Sequence, residues 1–107
     1  MSTDRILVVE DEKLFAQLLS DALSDQENVE VSIAPNGKVA LEMIAETEFN
    51  LVLTDIHMPE MNGREFLKHL RGLNNNVGIV VLTAFPQADY IKEFNDLEIV
   101  EFLSKDE

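Results

Sequence analysis

Four places along this chain put reactive side chains directly after apolar runs. Ile6-Leu7-Val8-Val9 is followed by Glu10-Asp11-Glu12, and Leu51-Val52-Leu53-Thr54 leads to a lone Asp55. The β-branched run from Val77 to Leu82 ends in Thr83, and Ile99-Val100-Glu101-Phe102-Leu103 is followed, one residue on, by Lys105. Singly, each has a bland explanation. Acids favour helix N-termini, an aspartate can open an Asx-turn, a threonine can cap a helix, and a lysine can be a solvated charge.

Brought together, they describe a specific chemistry. Converging carboxylates repel, and a desolvated carboxylate cannot stay ionised without compensation. A hard divalent cation such as Mg2+ supplies that compensation through oxygen ligands. A hydroxyl and an ammonium opposite the metal can hold an anion between them, and a phosphoryl group fits that description. Asp55, standing alone, is the candidate nucleophile that would form an acyl phosphate. Glu10 and Asp11, as neighbours, are the candidate metal ligands. Thr83, the backbone N–H of Ala84 and Lys105 would bind the phosphoryl oxygens.

The elements that would have to position these groups are legible as periodicities. The four apolar runs read as buried strands. Val29-Glu30-Val31-Ser32-Ile33 alternates apolar and polar, as a strand at a sheet edge does. Between the runs lie helical patterns. Leu14, Leu18 and Ala22 fall four apart, with Phe15, Leu19 and Leu23 beside them, which predicts a helix over roughly Lys13 to Asp25. A second helix pairs Val39 with Met43, Ala40 with Ile44 and Leu41 with Ala45. A third, opened by a capping box at Asn62-Gly63-Arg64-Glu65, carries Phe66, Leu67 and Leu70 and stops at Gly72. A short fourth begins near Pro86. Alternating strands and helices argue for an α/β fold with a parallel sheet and helices on both faces. In such folds, sites lie beyond the carboxyl ends of the strands, where all four reactive positions fall.

Composition narrows the functional classes. The chain's 107 residues suffice for one domain. With 21 acidic against 8 basic side chains its net charge is −13, a poor match to a nucleic-acid backbone. It has no cysteine, which is compatible with a reducing cytoplasm. No secretory signal or membrane-spanning run is visible, so a cytoplasmic location is expected.

The motifs "ILVVEDE", "LVLTDIHMPEMNG", "VVLTA" and "FLSK", in this order and spacing, resemble the receiver domain of bacterial two-component response regulators. The resemblance covers Arg5 to Lys105. It implies a flavodoxin-like five-stranded sheet in the order 2-1-3-4-5, with Asp55 as phosphoacceptor and a sensor histidine kinase or phosphotransfer protein as donor. It implies that Glu10, Asp11, Asp55 and the backbone carbonyl of His57 hold Mg2+, and that Thr83 and Lys105 contact the phosphoryl group. Phe102 occupies the aromatic switch position, and Thr83 and Phe102 would move together on phosphorylation. The surface of the fourth helix and fifth strand would then change for a downstream output domain or protein, and could also support a dimer. His57 and Phe85, each two residues past a site residue, would flank the path of attacking water and set the phosphoryl lifetime.

The sequence also departs from the family pattern. Asp106 stands where a proline usually follows the lysine, and Glu98-Ile99 stand where Gly-Ala is frequent. No fifth helix follows the last strand, so residues 1–107 are expected to be a receiver domain truncated at its C-terminal end. Two other readings stay open at this stage. One is a phosphatase or phosphotransferase with an aspartyl phosphate intermediate; such enzymes usually carry a second aspartate where His57 stands. The other is a receiver-like scaffold that is never phosphorylated.

Overall fold

The apolar runs do form strands, and they form one sheet. The computed structural model of the chain describes residues 3–55, 63–72, 77–83 and 101–104. Its elements are β1 (Asp4–Val9), α1 (Lys13–Ser24), β2 (Val29–Ala34), α2 (Gly37–Glu46), β3 (Leu51–Asp55), α3 (Gly63–Gly72), β4 (Gly78–Thr83) and β5 (Glu101–Ser104). All strand pairs are parallel, in the order β2-β1-β3-β4-β5. This is the expected flavodoxin-like order, and the alternating strand is at the edge as its pattern required.

The central strands are apolar on consecutive residues because both faces of the sheet are covered. Leu7, Val9, Val52, Ile79 and Val81 point to one side, where Ala40 and Ile44 of α2 and Phe66, Leu67 and Leu70 of α3 pack on them. Ile6, Val8, Leu53 and Leu82 point to the other, against Ala16 of α1 with Phe15, Leu19 and Leu23 partly buried beside them. Each fully buried Leu or Phe contributes about 1.5–3 kcal/mol by leaving water, and Phe66, Leu67 and Leu70 are all fully buried.

α2 starts cleanly because Asn36 caps it: its Oδ1 accepts the Val39 N–H at 2.9 Å. α1 starts after Glu12 with no side-chain cap. The inward face of α1 differs from the simplest reading of its periodicity. Leu14 and Leu18 are 84% and 67% exposed and Ala22 is exposed, while Phe15, Ala16, Leu19 and Leu23 do the packing. The apolar arc of α1 is broader than the strip the sheet covers, so spacing alone does not say which half is buried.

The amino ends of the strands are tied by backbone groups, asparagine side chains and one arginine. The Asp4 N–H donates to the Asn28 carbonyl at 2.8 Å, and Asn28 itself holds a left-handed φ of 62° at the turn into β2. Asn50 links three strands. Its Oδ1 accepts the Arg5 N–H at 2.7 Å, its own N–H donates to the Arg5 carbonyl at 2.8 Å, and its carbonyl accepts the Gly78 N–H at 3.1 Å. From the end of α3, Arg71 Nη1 donates to the Val77 carbonyl at 3.2 Å.

The last strand is Glu101–Ser104, displaced by one residue at its end from the run expected to form it. The capping residue Asn62, the short helix from Pro86 and any helix after β5 lie outside the described residues. Among the described residues, no helix is long and apolar enough to cross a membrane.

Candidate phosphoacceptor and metal site

The carboxyl end of the sheet carries the acids. β1 hands the chain to Glu10, whose N–H donates to the Ala34 carbonyl at 3.0 Å, so the residue is held in line with the sheet although it lies just past the strand. Val9 is level with Thr54 of β3, and Asp55 is level with Leu82 of β4. Glu10 and Asp55 therefore sit side by side at the ends of adjacent central strands. Both are buried, at 2% and 4% exposure.

Asp11 joins them from the exposed start of the following loop. One carboxylate oxygen from each of Glu10, Asp11 and Asp55 lies within 4.8 Å of the others. Two buried carboxylates and one exposed carboxylate at this separation make a concentrated negative charge open to water on one side. This is the donor set of a hard cation that keeps several waters, and Mg2+ fits it. The Glu12 carboxylate is not part of the cluster, although the sequence groups it with its neighbours.

Glu12 contributes its backbone instead. Its N–H donates to Glu10 Oε2 at 3.1 Å, which orients that carboxylate and links it to the first turn of α1. Thr54, fully buried beside Asp55, donates its hydroxyl to the Asp55 carbonyl at 2.9 Å. This short local bond leaves the Asp55 side chain at the rim while satisfying a buried hydroxyl. Neither contact was expected from residue type, because both depend on backbone direction at the end of a strand.

The remaining expected residues divide by where they fall. The backbone of Thr83 closes β4, one residue beyond the partner of Asp55, and is level with Ser104 of β5. The backbone of Phe102 lies in β5, level with Val81. His57, Ala84, Phe85 and Lys105 lie outside the described residues. His69 is exposed on α3.

Comparison with known proteins gives this rim a context. The profile of the family described as "Response regulator receiver domain" matches residues 6–107. Sporulation initiation phosphotransferase F of Bacillus subtilis (strain 168) is 30% identical over 98% of this chain and 84% of its own length. A protein-glutamate methylesterase/protein-glutamine glutaminase of Desulfotalea psychrophila is 40% identical over 78% of this chain, which spans only 23% of that relative. Among solved structures, response regulator protein TrrA from Thermotoga maritima, in complex with Mg(2+)-BeF, is 32% identical. It has a TM-score of 0.83, with 96% of this chain and 87% of that chain covered.

Proposed function

Because this chain belongs to the response regulator receiver domain family, we propose that it is a phosphorylation-controlled signalling switch with Asp55 as its phosphoacceptor. The observation that carries the reading is the buried Glu10–Asp55 pair with Asp11 alongside, at the carboxyl ends of the two central strands. Such a cluster costs stability unless something positive enters it. Glu10, Asp11 and Asp55, with the His57 carbonyl, would hold Mg2+, which when bound offsets charge on the transferred phosphoryl oxygens.

Asp55 supplies the nucleophile. One of its carboxylate oxygens attacks the phosphorus of a phosphohistidine on a sensor kinase or phosphotransfer protein. The new bond is O–P, the P–N bond breaks, and the released imidazole takes a proton from water. Thr83 and the Ala84 N–H receive one phosphoryl oxygen and Lys105 receives another, so the group is held from the side opposite the acids. Water attack on phosphorus later returns the Asp55 carboxylate and inorganic phosphate. His57 and Phe85 flank that water's path and set the lifetime.

The added group brings a charge of about −2 to a rim that already concentrates acids. Thr83 moves toward it and Phe102 turns into the vacated space, shifting a two-state equilibrium in the surface of the fourth helix and fifth strand. A downstream domain or protein reads that surface, which is also the face available for a phosphorylation-dependent dimer. Residues 1–107 act here as one receiver unit that takes its phosphoryl group in the cytoplasm. With a net charge of −13, this unit works through protein partners and not by gripping nucleic acid.

Incubation with acetyl phosphate and Mg2+ tests the reading. The expected result is one phosphoryl group per chain by intact mass, absent in Asp55→Asn and absent with a chelator. No adduct under any of these conditions would assign the chain to unphosphorylated scaffolds. Fast turnover of assorted phosphoesters would make it an enzyme.

A further inference from the structure

Among the described residues, β2 has β1 as its only strand neighbour. An edge strand carries backbone groups with no ladder partner, a template for another strand. Two bonds show which groups these are. The Asn28 carbonyl accepts from Asp4 N–H, and the Ala34 carbonyl accepts from Glu10 N–H. In a strand, the N–H and C=O of one residue point the same way, and consecutive residues alternate. Glu30 and Ser32, at the same parity, therefore direct their backbone groups at β1. Val29, Val31 and Ile33 direct theirs outward.

The side chains of those outward residues share the face of the sheet that carries α1. Val29 and Val31 are partly buried there, but Ile33 is 37% exposed. Natural edge strands are usually guarded by proline, lysine or a bulge. β2 reads Val-Glu-Val-Ser-Ile-Ala, with Glu30 as its single charge, and it keeps unbroken register with β1.

We propose that β2 is the contact through which two copies of this chain associate, antiparallel about a two-fold axis at Val31. The sequence selects that register. Centred on Val31, each outward residue meets an outward residue of the second copy: Val31 meets Val31, and Val29 meets Ile33. Each pair exchanges both of its N–H···O=C bonds. The exposed Ile33 is then covered by Val29 of the second copy. On the opposite face Glu30 meets Ser32, whose hydroxyl donates to the carboxylate. Centring on Glu30 would instead set that carboxylate against its own copy. Centring on Ser32 would set Val29 against Pro35, which has no N–H to give.

Charge opposes this contact and supplies its signature. Each copy carries −13, so the pair is weak in dilute buffer. Screening shortens from about 10 Å at 0.1 M salt to about 3 Å at 1 M. Association therefore strengthens with salt, the reverse of an interface held by ion pairs. The contact involves none of the acids at the site, so it stands apart from the phosphoacceptor reading.

Sedimentation velocity on the full chain, without phosphodonor or Mg2+, tests it. The expected result is a monomer at about 0.1 M sodium chloride and a growing dimer fraction at about 1 M. Val31→Pro removes an outward N–H without touching a β1 bond, and it should stay monomeric at both salt levels with unchanged far-UV circular dichroism. Ile33→Lys, which removes the apolar side chain that Val29 of the second copy would cover and would leave an ammonium buried against it, should do the same and serves if the proline variant misfolds. Leu18→Asp on α1 should leave the dimer intact. Because the chain has no cysteine, Val31→Cys should give a disulfide-linked dimer on oxidation at high salt and so report the register. A monomer at every salt concentration overturns the proposal. A dimer that survives both edge variants, or one lost in Leu18→Asp, also overturns it, and the latter places the contact on α1.

Discussion

The two ends of the sheet are built on opposite terms. At the amino ends of the strands, the described links carry no concentrated like charge: Asn28 takes the Asp4 N–H, Asn50 bridges Arg5 and Gly78, and Arg71 donates to the Val77 carbonyl. At the carboxyl ends, Glu10 and Asp55 are buried within 4.8 Å of each other and of Asp11. One end spends its polar groups on holding strands together. The other end gathers like charges that weaken the fold. The two ends of the sheet thus separate what stabilises the molecule from what acts, and substitutions should sort by end.

The largest expected effect is at the acidic end. Asp55→Asn should abolish labelling by acetyl phosphate, while raising the stability of the metal-free protein by about 1 kcal/mol because a repelling charge is gone. Chemical denaturation of both forms without Mg2+ measures the second half, and a less stable variant would break the comparison. Next comes metal dependence. Mg2+ at a hundredfold excess over its dissociation constant should stabilise the unsubstituted chain by about 2.7 kcal/mol. Thermal melts should show that shift cancelled in Asp11→Asn/Asp55→Asn and kept in full by Asn50→Ala.

The amino end should respond in stability alone. Asn28→Val forces a β-branched residue into a left-handed conformation and should cost about 1–2 kcal/mol, whereas Asn28→Gly should be neutral or slightly favourable. Asn50→Ala loses the bond to the Arg5 N–H and should cost about 1 kcal/mol. All three variants should accept a phosphoryl group at the normal rate once folded. A slowed rate in any of them, measured below its melting range, would show that the two ends are coupled and the division is too sharp.

Much of this arrangement is written in residue order. Strands buried on both faces need consecutive apolar residues, so β1, β3 and β4 are legible as runs, and the edge position of β2 follows from its alternation. The rule that sites gather beyond the carboxyl ends of parallel strands then brings Glu10, Asp11 and Asp55 together without coordinates. What is not legible depends on direction. Leu14 and Leu18 share the period of Phe15 and Leu19, yet only the latter pair packs, because helical spacing records a face and not the neighbour that covers it. Asn28 gives no sign of its left-handed backbone beyond being an asparagine. Glu12 follows two candidate ligands in sequence but contributes its amide, since the turn after β1 points its N–H at Glu10.

That last bond makes a single hydrogen atom into a gauge. The Glu12 amide proton rests on the carboxylate of Glu10 while belonging to the residue that immediately precedes α1. Any change in the electron density of that carboxylate, whether a cation arrives or a neighbouring acid is neutralised, must alter the shielding of this proton. In a nitrogen–proton correlation spectrum of isotope-enriched protein, one peak would then read the occupancy of the acidic rim continuously, with no phosphoryl group required.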